Sequence, residues 1–245
     1  EPCLSEVAGV PAQAGIRLQI EGKTAADDTG ELQFTKEGIS GIPTFQVSRF
    51  ASIALDEGRN VTAQIDFLPE FSREQLTQIL FRQAAGFTRE RGYTDRSVEK
   101  HTDASSVKNE YKSEHADLCC GKIWQQILNG LVNQKIAFMI TKELKPANVP
   151  AAELSQKTIR KQVDTIVRRL KETTVKITTA GTFSQAQVTC GGVPLKEVGA
   201  DMQSKIVPGL YFAGEILDVD GICGGYNLQW AWTSGYLAGS NAGKI

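Results

Sequence analysis

The chain has 245 residues and a formal net charge of −1, and 41% of its residues are hydrophobic while 22% are charged. These values are typical of a globular protein with one large domain or two modest ones, and they argue against disorder. The near-neutral charge provides no electrostatic basis for binding nucleic acid or an anionic membrane surface, and no apolar run approaches the roughly 20 residues of a membrane-spanning helix.

The cysteines indicate a reducing environment. The five residues, Cys3, Cys119, Cys120, Cys190 and Cys223, are odd in number and include an adjacent pair, which makes a poor disulfide framework. The first seven residues, EPCLSEV, have neither the basic nor the apolar region of a secretory signal. We therefore predict a cytoplasmic location.

The first elements predicted along the chain are strands. Residues 14–24 alternate apolar and polar side chains, as half-buried strands do, and residues 31–35 are expected to return antiparallel to them. Residues 27–30, with the sequence DDTG, have the composition of the turn that would join the two strands into a hairpin. Alternation over residues 61–67, and again from residue 173, predicts two further strands.

Capping signals mark the predicted helices. Pro43 suits the first turn of a helix that runs to about Asp56. Ser72 and Gln75 have the spacing of a capping box at the start of a second helix, and Ser155 is expected to cap a third. The third helix has one apolar stripe, made of Ile159, Val163, Ile166, Val167 and Leu170.

The middle of the chain is less informative. Residues 121–143 are helical in period, whereas residues 86–117 are polar and are predicted to form a loop or a small exposed helical insert. This region contains the possible metal ligands His101, Asp103, His115, Asp117, Cys119 and Cys120. Their spacing matches no zinc pattern, which favours a solvated loop over a metal site.

The C-terminal stretch contains the candidate binding site. Residues 210–213 form an apolar run that predicts a buried strand ending at Gly214, and residues 226–237 predict an apolar, aromatic helix. A glycine loop lets the backbone approach a ligand closely, and a helix N-terminus presents unpaired N–H groups and partial positive charge. The pattern alone leaves two interpretations open, a ligand-binding cradle or a tight strand-to-helix connection.

Acidic residues in the glycine loop narrow the type of ligand. Carboxylates repel a bare phosphate, so Glu215 or Asp218 is a candidate partner for a sugar-like polyol. An EF-hand loop starting at Asp218 is excluded because Cys223 and Gln229 stand where Gly and Glu are required. The second glycine pair, Gly191-Gly192, is either another backbone approach to the same ligand or a simple turn.

Three motifs establish a family resemblance: GELQFTKEGISGIP at residues 30–43, VTCGGVPLKEV at residues 188–198 and GLYFAGEILDVDGICGGYNLQWAWTSGYLAG at residues 209–239. The chain resembles the bacterial NAD(P)/FAD-dependent flavoproteins of the aminoacetone-oxidase-like, BaiN-type group. The resemblance extends over nearly the whole chain and is weakest across residues 86–150.

The resemblance implies an α+β or α/β fold in two parts. Residues 1–180 would be an inserted substrate or cap domain of β-barrel-like strands plus helices. Residues 181–245 would be the C-terminal strand-loop-helix part of an FAD-binding Rossmann-like domain. The sequence has no Gly-x-Gly-x-x-Gly loop, which holds the FAD pyrophosphate in such proteins. We therefore expect that the family's N-terminal dinucleotide-binding half is missing from this chain and is supplied in cis or by a separate chain.

The resemblance also implies cofactor contacts. Gly214-Glu215 matches the family's Gly-acid pair, whose carboxylate would hydrogen-bond the ribityl chain of FAD. The start of the last helix matches the position under the flavin pyrimidine ring, where a helix N-terminus stabilises negative charge. The expected cofactor-binding residues are Gly191, Gly192, Gly214, Glu215, Asp218, Gly224, Gly225, Tyr226, Asn227 and Leu228.

The implied function is that of part of an FAD-dependent oxidoreductase. It would transfer hydride between a nicotinamide cofactor, NAD(P)H, or a small-molecule substrate and the flavin. The chain alone is expected to be inactive and not to hold FAD. Two alternatives are a non-catalytic interaction or substrate domain and one subunit of a split flavoprotein. The sequence identifies neither a catalytic acid or base nor the substrate, and it predicts no metal site.

Overall fold

A computed structural model describes residues 4–89, 120–144, 155–182 and 188–244, together with residues 184 and 186. The strands are β1 (Pro11–Ile20), β2 (Lys23–Phe34), β3 (Ile39–Ser40), β4 (Val61–Asp66) and β5 (Thr173–Ile177). The α-helices are α1 (Ile42–Asp56), α2 (Arg73–Arg89), α3 (Cys120–Leu128), α4 (Gln134–Thr141), α5 (Gln156–Lys171) and α6 (Tyr226–Ala242).

These elements confirm the mixed α and β class. Residues 121–143, predicted as one helical stretch, contain two helices, α3 and α4, separated by a turn. The possible metal ligands from His101 to Cys119 lie outside the described residues. No helix within the described ranges is long and apolar enough to cross a membrane.

The hairpin turn lies at Glu21 and Gly22, so the prediction that residues 27–30 form the turn is wrong. Glu21 and Gly22 have φ values of 50° and 74°, as a two-residue hairpin loop of type I′ requires. The DDTG segment instead lies within β2, where Asp27 faces Arg17 across the sheet. The turn-like composition misled because an exposed strand face also accepts polar residues.

The strands form one antiparallel sheet in the order β3-β2-β1-β4-β5. This order makes β3 and β5 the edge strands of the described sheet. The finer expectation, that these strands belong to a barrel-like inserted domain, stays a prediction.

The helix-capping predictions are confirmed. At the start of α2, Ser72 N–H donates to Gln75 Oε1 at 2.8 Å and Gln75 N–H donates to Ser72 Oγ at 3.2 Å, which is a capping box. Ser155 Oγ accepts from Thr158 N–H at 3.2 Å at the start of α5. The predicted apolar stripe of α5 is fully buried against the sheet and its neighbouring helices. These signals are local, which is why the sequence shows them.

Two separate hydrophobic clusters lie on either side of residue 180. The larger extends from Val7 to Val175 and contains the sheet and helices α1 to α5. The smaller has Val198, Met202, Leu217 and Ala238 as its buried members. The domain boundary at residue 180 stays a prediction, and the distribution of the clusters is compatible with it.

Lys171, at the end of α5, fixes the segment that leaves β4. Its ammonium group donates to the carbonyl oxygens of Leu68 (3.0 Å) and Phe71 (2.7 Å) and lies 2.6 Å from Asp66 Oδ2. The Lys171 side chain is only 12% exposed. One cation therefore satisfies two carbonyl groups and a carboxylate between β4 and α2.

We predict that Lys171→Met lowers the free energy of unfolding by about 2 kcal/mol, because the half-buried Asp66 carboxylate and two carbonyl groups lose their donor. Chemical denaturation checks this. The control is Lys161→Met on the exposed side of the same helix, which should change stability by less than about 0.5 kcal/mol. Equal effects of the two substitutions would contradict the assigned role of Lys171.

Candidate functional site

The C-terminal segment is built from turns rather than strands. Residues 210–213 do not form the predicted buried strand, since Leu210 is 42% exposed and Tyr211 makes only an isolated antiparallel bridge to Gln203. Described residues between 186 and 189 are likewise outside any strand. A buried strand requires neighbouring strands for its backbone groups, and the described part of the chain does not offer them to this run.

The two glycine turns lie side by side. Val193 and Leu217 form a parallel bridge, in which Val193 N–H donates to Ile216 O at 2.8 Å and Asp218 N–H donates to Val193 O at 3.0 Å. Gly192 has a φ of 133°, and a Cβ there would lie 2.4 Å from Ile216 O. Glycine is thus required at residue 192 for the close approach of the turns.

Glu215 connects the same two turns through its side chain. Its Oε1 accepts from the backbone N–H of Thr189 at 2.8 Å and from Thr189 Oγ1 at 3.2 Å. Both hydrogen bonds use Oε1, and a carboxylate has a second oxygen with its own lone pairs. Oε2 of this exposed residue can therefore accept from a ligand while Oε1 holds the turn.

Ser234 is a site residue that the sequence analysis missed. Its hydroxyl is fully buried, accepts from Gly214 N–H at 2.9 Å and donates to Trp230 O at 2.7 Å. It therefore attaches the turn at Gly214 to the middle of α6. The sequence did contain a signal for this role, because Ser234 is a small polar residue within an apolar, aromatic helix.

The start of α6 presents an open backbone surface. Gly225 is its N-cap, with φ 93° and ψ 0°, and a Cβ built there would meet no described atom within 4 Å. The first intrahelical bond runs from Gln229 N–H to Gly225 O, so helix geometry directs the N–H groups of residues 226–228 out of the helix end. A ligand could approach this backbone closely.

Asn227 holds the glycine loop against this helix start. Its Oδ1 accepts from Gly221 N–H at 2.7 Å, and its Nδ2 donates to Gly221 O at 3.3 Å. The Asn227 side chain is therefore used within the protein, and the predicted contact with a cofactor would fall to its backbone. Gly224, which precedes the N-cap residue Gly225, is exposed and has a φ of 123°.

Helix α6 exposes large apolar side chains along its length. Tyr226, Leu228, Trp232 and Tyr236 are between 59% and 75% exposed, whereas Ser234 and Ala238 are the buried residues of the helix. In the loops that precede α6, Ile206, Ile216 and Ile222 are each more than half exposed. A concentration of exposed apolar residues of this kind is typical of an interaction surface.

The structure thus arranges the ten predicted cofactor-binding residues in two groups. The turns hold Gly191, Gly192, Gly214, Glu215 and Asp218, and the helix start holds Gly224, Gly225, Tyr226, Asn227 and Leu228. The bond between Gly214 and Ser234 connects the groups. Their contacts with a cofactor stay predictions. Among the described residues no group of three His, Cys, Asp or Glu side chains could hold a metal ion.

Comparison with known proteins identifies the family. A model described as the HI0933-like protein Rossmann domain matches residues 23–241. The chain therefore belongs to the HI0933-like Rossmann-domain family, which confirms membership of a Rossmann-like flavoprotein family. A Rossmann sheet is mostly parallel, yet the described sheet is antiparallel. The sheet in the described part of the matched region is therefore not a parallel nucleotide-binding core.

Individual curated proteins are also similar to this chain. The chain is 36% identical over 242 residues to a 3-dehydro-bile acid delta(4,6)-reductase of Clostridium scindens, covering 98% of this chain and 50% of that protein. It is 31% identical over 135 residues to a ribosomal RNA dihydrouridine synthase of Escherichia coli, a match that covers 55% of this chain and 32% of the synthase. A ribosomal RNA dihydrouridine synthase of Haemophilus influenzae is 54% identical over 55 residues, which are 22% of this chain and 14% of that synthase. The chain spans half the length of the bile-acid reductase.

We predict that Gly192→Ala is more damaging than Gly191→Ala. Both glycines have positive φ, at 133° and 92°, so both substitutions strain the backbone. Only Gly192→Ala also places a methyl group against Ile216 O, whereas nothing described lies within 4 Å at Gly191. The free energy of unfolding should differ by about 1–3 kcal/mol between the variants. Chemical denaturation measures this, and equal stability would show that the turns do not pack as described.

Proposed function

We propose that the chain forms part of a cytoplasmic FAD-dependent oxidoreductase and provides the flavin-facing half of the cofactor site. The observation that supports this most strongly is the open start of α6 at Gly225, beside two glycine turns and an exposed apolar surface. A bound flavin would accept and pass on hydride, while the protein positions it and adjusts its electrostatics.

The residues present fit a flavin better than a nucleotide phosphate alone. The N–H groups at the start of α6 would face the flavin pyrimidine ring, where they stabilise negative charge. The exposed carboxylate of Glu215 would accept hydrogen bonds from the ribityl hydroxyls through Oε2. Gly191, where no described atom lies within 4 Å of an added Cβ, would let the backbone approach the cofactor closely, whereas Gly192 and Gly214 would hold the turns in place beside it. The backbone N–H of Asp218 donates to Val193 O, and we assign its side chain no specific contact with the cofactor.

We propose further that a dinucleotide-binding half covers the exposed face of α6. Each large apolar side chain contributes about 1.5–3 kcal/mol when it is buried, and several are exposed here on one helix. The half-length coverage of the bile-acid reductase leaves room for such a unit. It would supply the pyrophosphate-binding loop and, with NAD(P)H, a source of reducing equivalents.

The names of the relatives favour a class of substrate. A delta(4,6)-reductase acts on carbon–carbon double bonds, and a dihydrouridine synthase yields a base whose ring double bond is saturated. We propose that this chain's enzyme reduces a carbon–carbon double bond in a small molecule. Coverage of 98% with the bile-acid enzyme against 55% with the RNA enzyme supports a small substrate, as does the net charge of −1.

Flavin retention tests the cofactor proposal. The chain joined to a dinucleotide-binding half should purify with FAD, and Gly225→Val should weaken retention at least about tenfold by blocking backbone approach. Gly58→Val is the matched control, since Gly58 also has positive φ and open space but follows α1. The absorbance of bound flavin is the measurement. Equal retention in the two variants, or stable FAD binding by the chain alone, would contradict the proposal.

Reoxidation of the reduced flavin tests the substrate class. Under anaerobic conditions, a steroid with a 3-oxo-4,6-diene should reoxidise the flavin of the assembled protein faster than uridine-containing RNA does. Stopped-flow absorbance follows the reaction, and the saturated analogue of the same steroid is the control. Faster reoxidation by RNA would overturn the small-molecule assignment while leaving the flavin assignment intact.

A further inference from the structure

An ion pair connects the larger hydrophobic unit to the glycine loop. Arg49 Nη1 lies 2.9 Å from Asp220 Oδ2, although the two residues are 171 positions apart in the sequence. The Arg49 side chain is 43% exposed and the Asp220 side chain only 15%. The carboxylate is therefore largely removed from water, and leaving it without its partner would be costly.

The position of Arg49 is fixed by its helix and by a neighbouring aromatic ring. It belongs to α1, whose Val47 and Ala51 are buried in the larger cluster. Its guanidinium group lies over the ring of Phe50, 4.8 Å from the ring centroid. Stacking of a planar guanidinium on an aromatic ring limits its freedom, so less entropy is lost when it binds a carboxylate.

The loop transmits the position of Asp220 to the start of α6. The next residue, Gly221, is hydrogen-bonded in both directions by the side chain of Asn227. A Cβ at Gly221 would lie 2.9 Å from Tyr226 Cβ, so the loop packs directly against the first turn of the helix. A shift of Asp220 must therefore disturb either this packing or the helix start.

We propose that Arg49 is a positioning residue for the start of α6, acting through Asp220, Gly221 and Asn227. The pair sets where the loop and the exposed N–H groups lie relative to α1. An effect of the ion pair on cofactor binding rests on the proposed function, whereas its effect on the position of the loop does not. Arg49 would thus influence the site from a helix that belongs to the other hydrophobic unit.

Hydrogen exchange of the full chain without flavin tests this role. Arg49→Met should accelerate exchange of the hydrogen-bonded amides of residues 219–229, which include those of Gly221 and Gln229, by roughly five- to tenfold, the loss expected for a partly buried, hydrogen-bonded ion pair. Asp220→Asn should have a similar effect, and the double variant should exchange no faster than either single variant. Arg49→Lys, which retains the charge, should restore at least half of the protection.

The control is Arg59→Met, which removes another ion pair, with Glu57, from a guanidinium of similar exposure, 44%. It should leave exchange in residues 219–229 unchanged. The proposal is overturned if Arg49→Met behaves like this control, if the two single effects add, or if Arg49→Lys exchanges as fast as Arg49→Met. It is also overturned if the whole chain loses protection equally, since that would indicate general destabilisation. None of these outcomes depends on whether flavin binds.

Discussion

The arrangement of the C-terminal segment depends on one buried hydroxyl group. Ser234 accepts from Gly214 N–H and donates to Trp230 O, and this fixes the last turn before the acidic loop to α6. The turn at Gly191-Gly192 is held in place in turn, because Val193 N–H donates to Ile216 O and Val193 O accepts from Asp218 N–H. The apolar support of these turns is a small cluster of four buried residues, with partly buried side chains packed against it. Polar contacts such as the one to Ser234 therefore supplement a limited apolar core.

The sequence predicted elements well where the signal was local. The capping box at Ser72, the cap at Ser155 and the stripe on α5 depend on residues within one or two turns. It failed where the outcome depended on distant partners. Residues 210–213 have the composition of a strand, but backbone pairing needs neighbours that composition cannot reveal. The hairpin turn was misplaced because Glu21 adopts a left-handed conformation that is uncommon outside glycine and asparagine.

The same distinction applies to the candidate site. Its glycines and its helix start were readable, because both follow from residue type. The uses of side chains were not readable. Asn227 binds Gly221, Glu215 binds Thr189, and Asp220 pairs with Arg49 from another part of the chain. A segment whose polar side chains mostly hold its own turns leaves backbone N–H groups as the natural ligand contacts, and this is the chemistry that a flavin ring would meet.

The most direct test is an experimental structure of the chain assembled with a dinucleotide-binding half and FAD. In that structure the backbone N–H groups of residues 226–228 should lie within hydrogen-bonding distance, about 3 Å, of the flavin pyrimidine ring. Trp232 and Tyr236, which are 71% and 75% exposed in this chain, should be buried by the added half. A flavin bound away from the start of α6, or an α6 face that stays exposed to solvent, would contradict the proposed site.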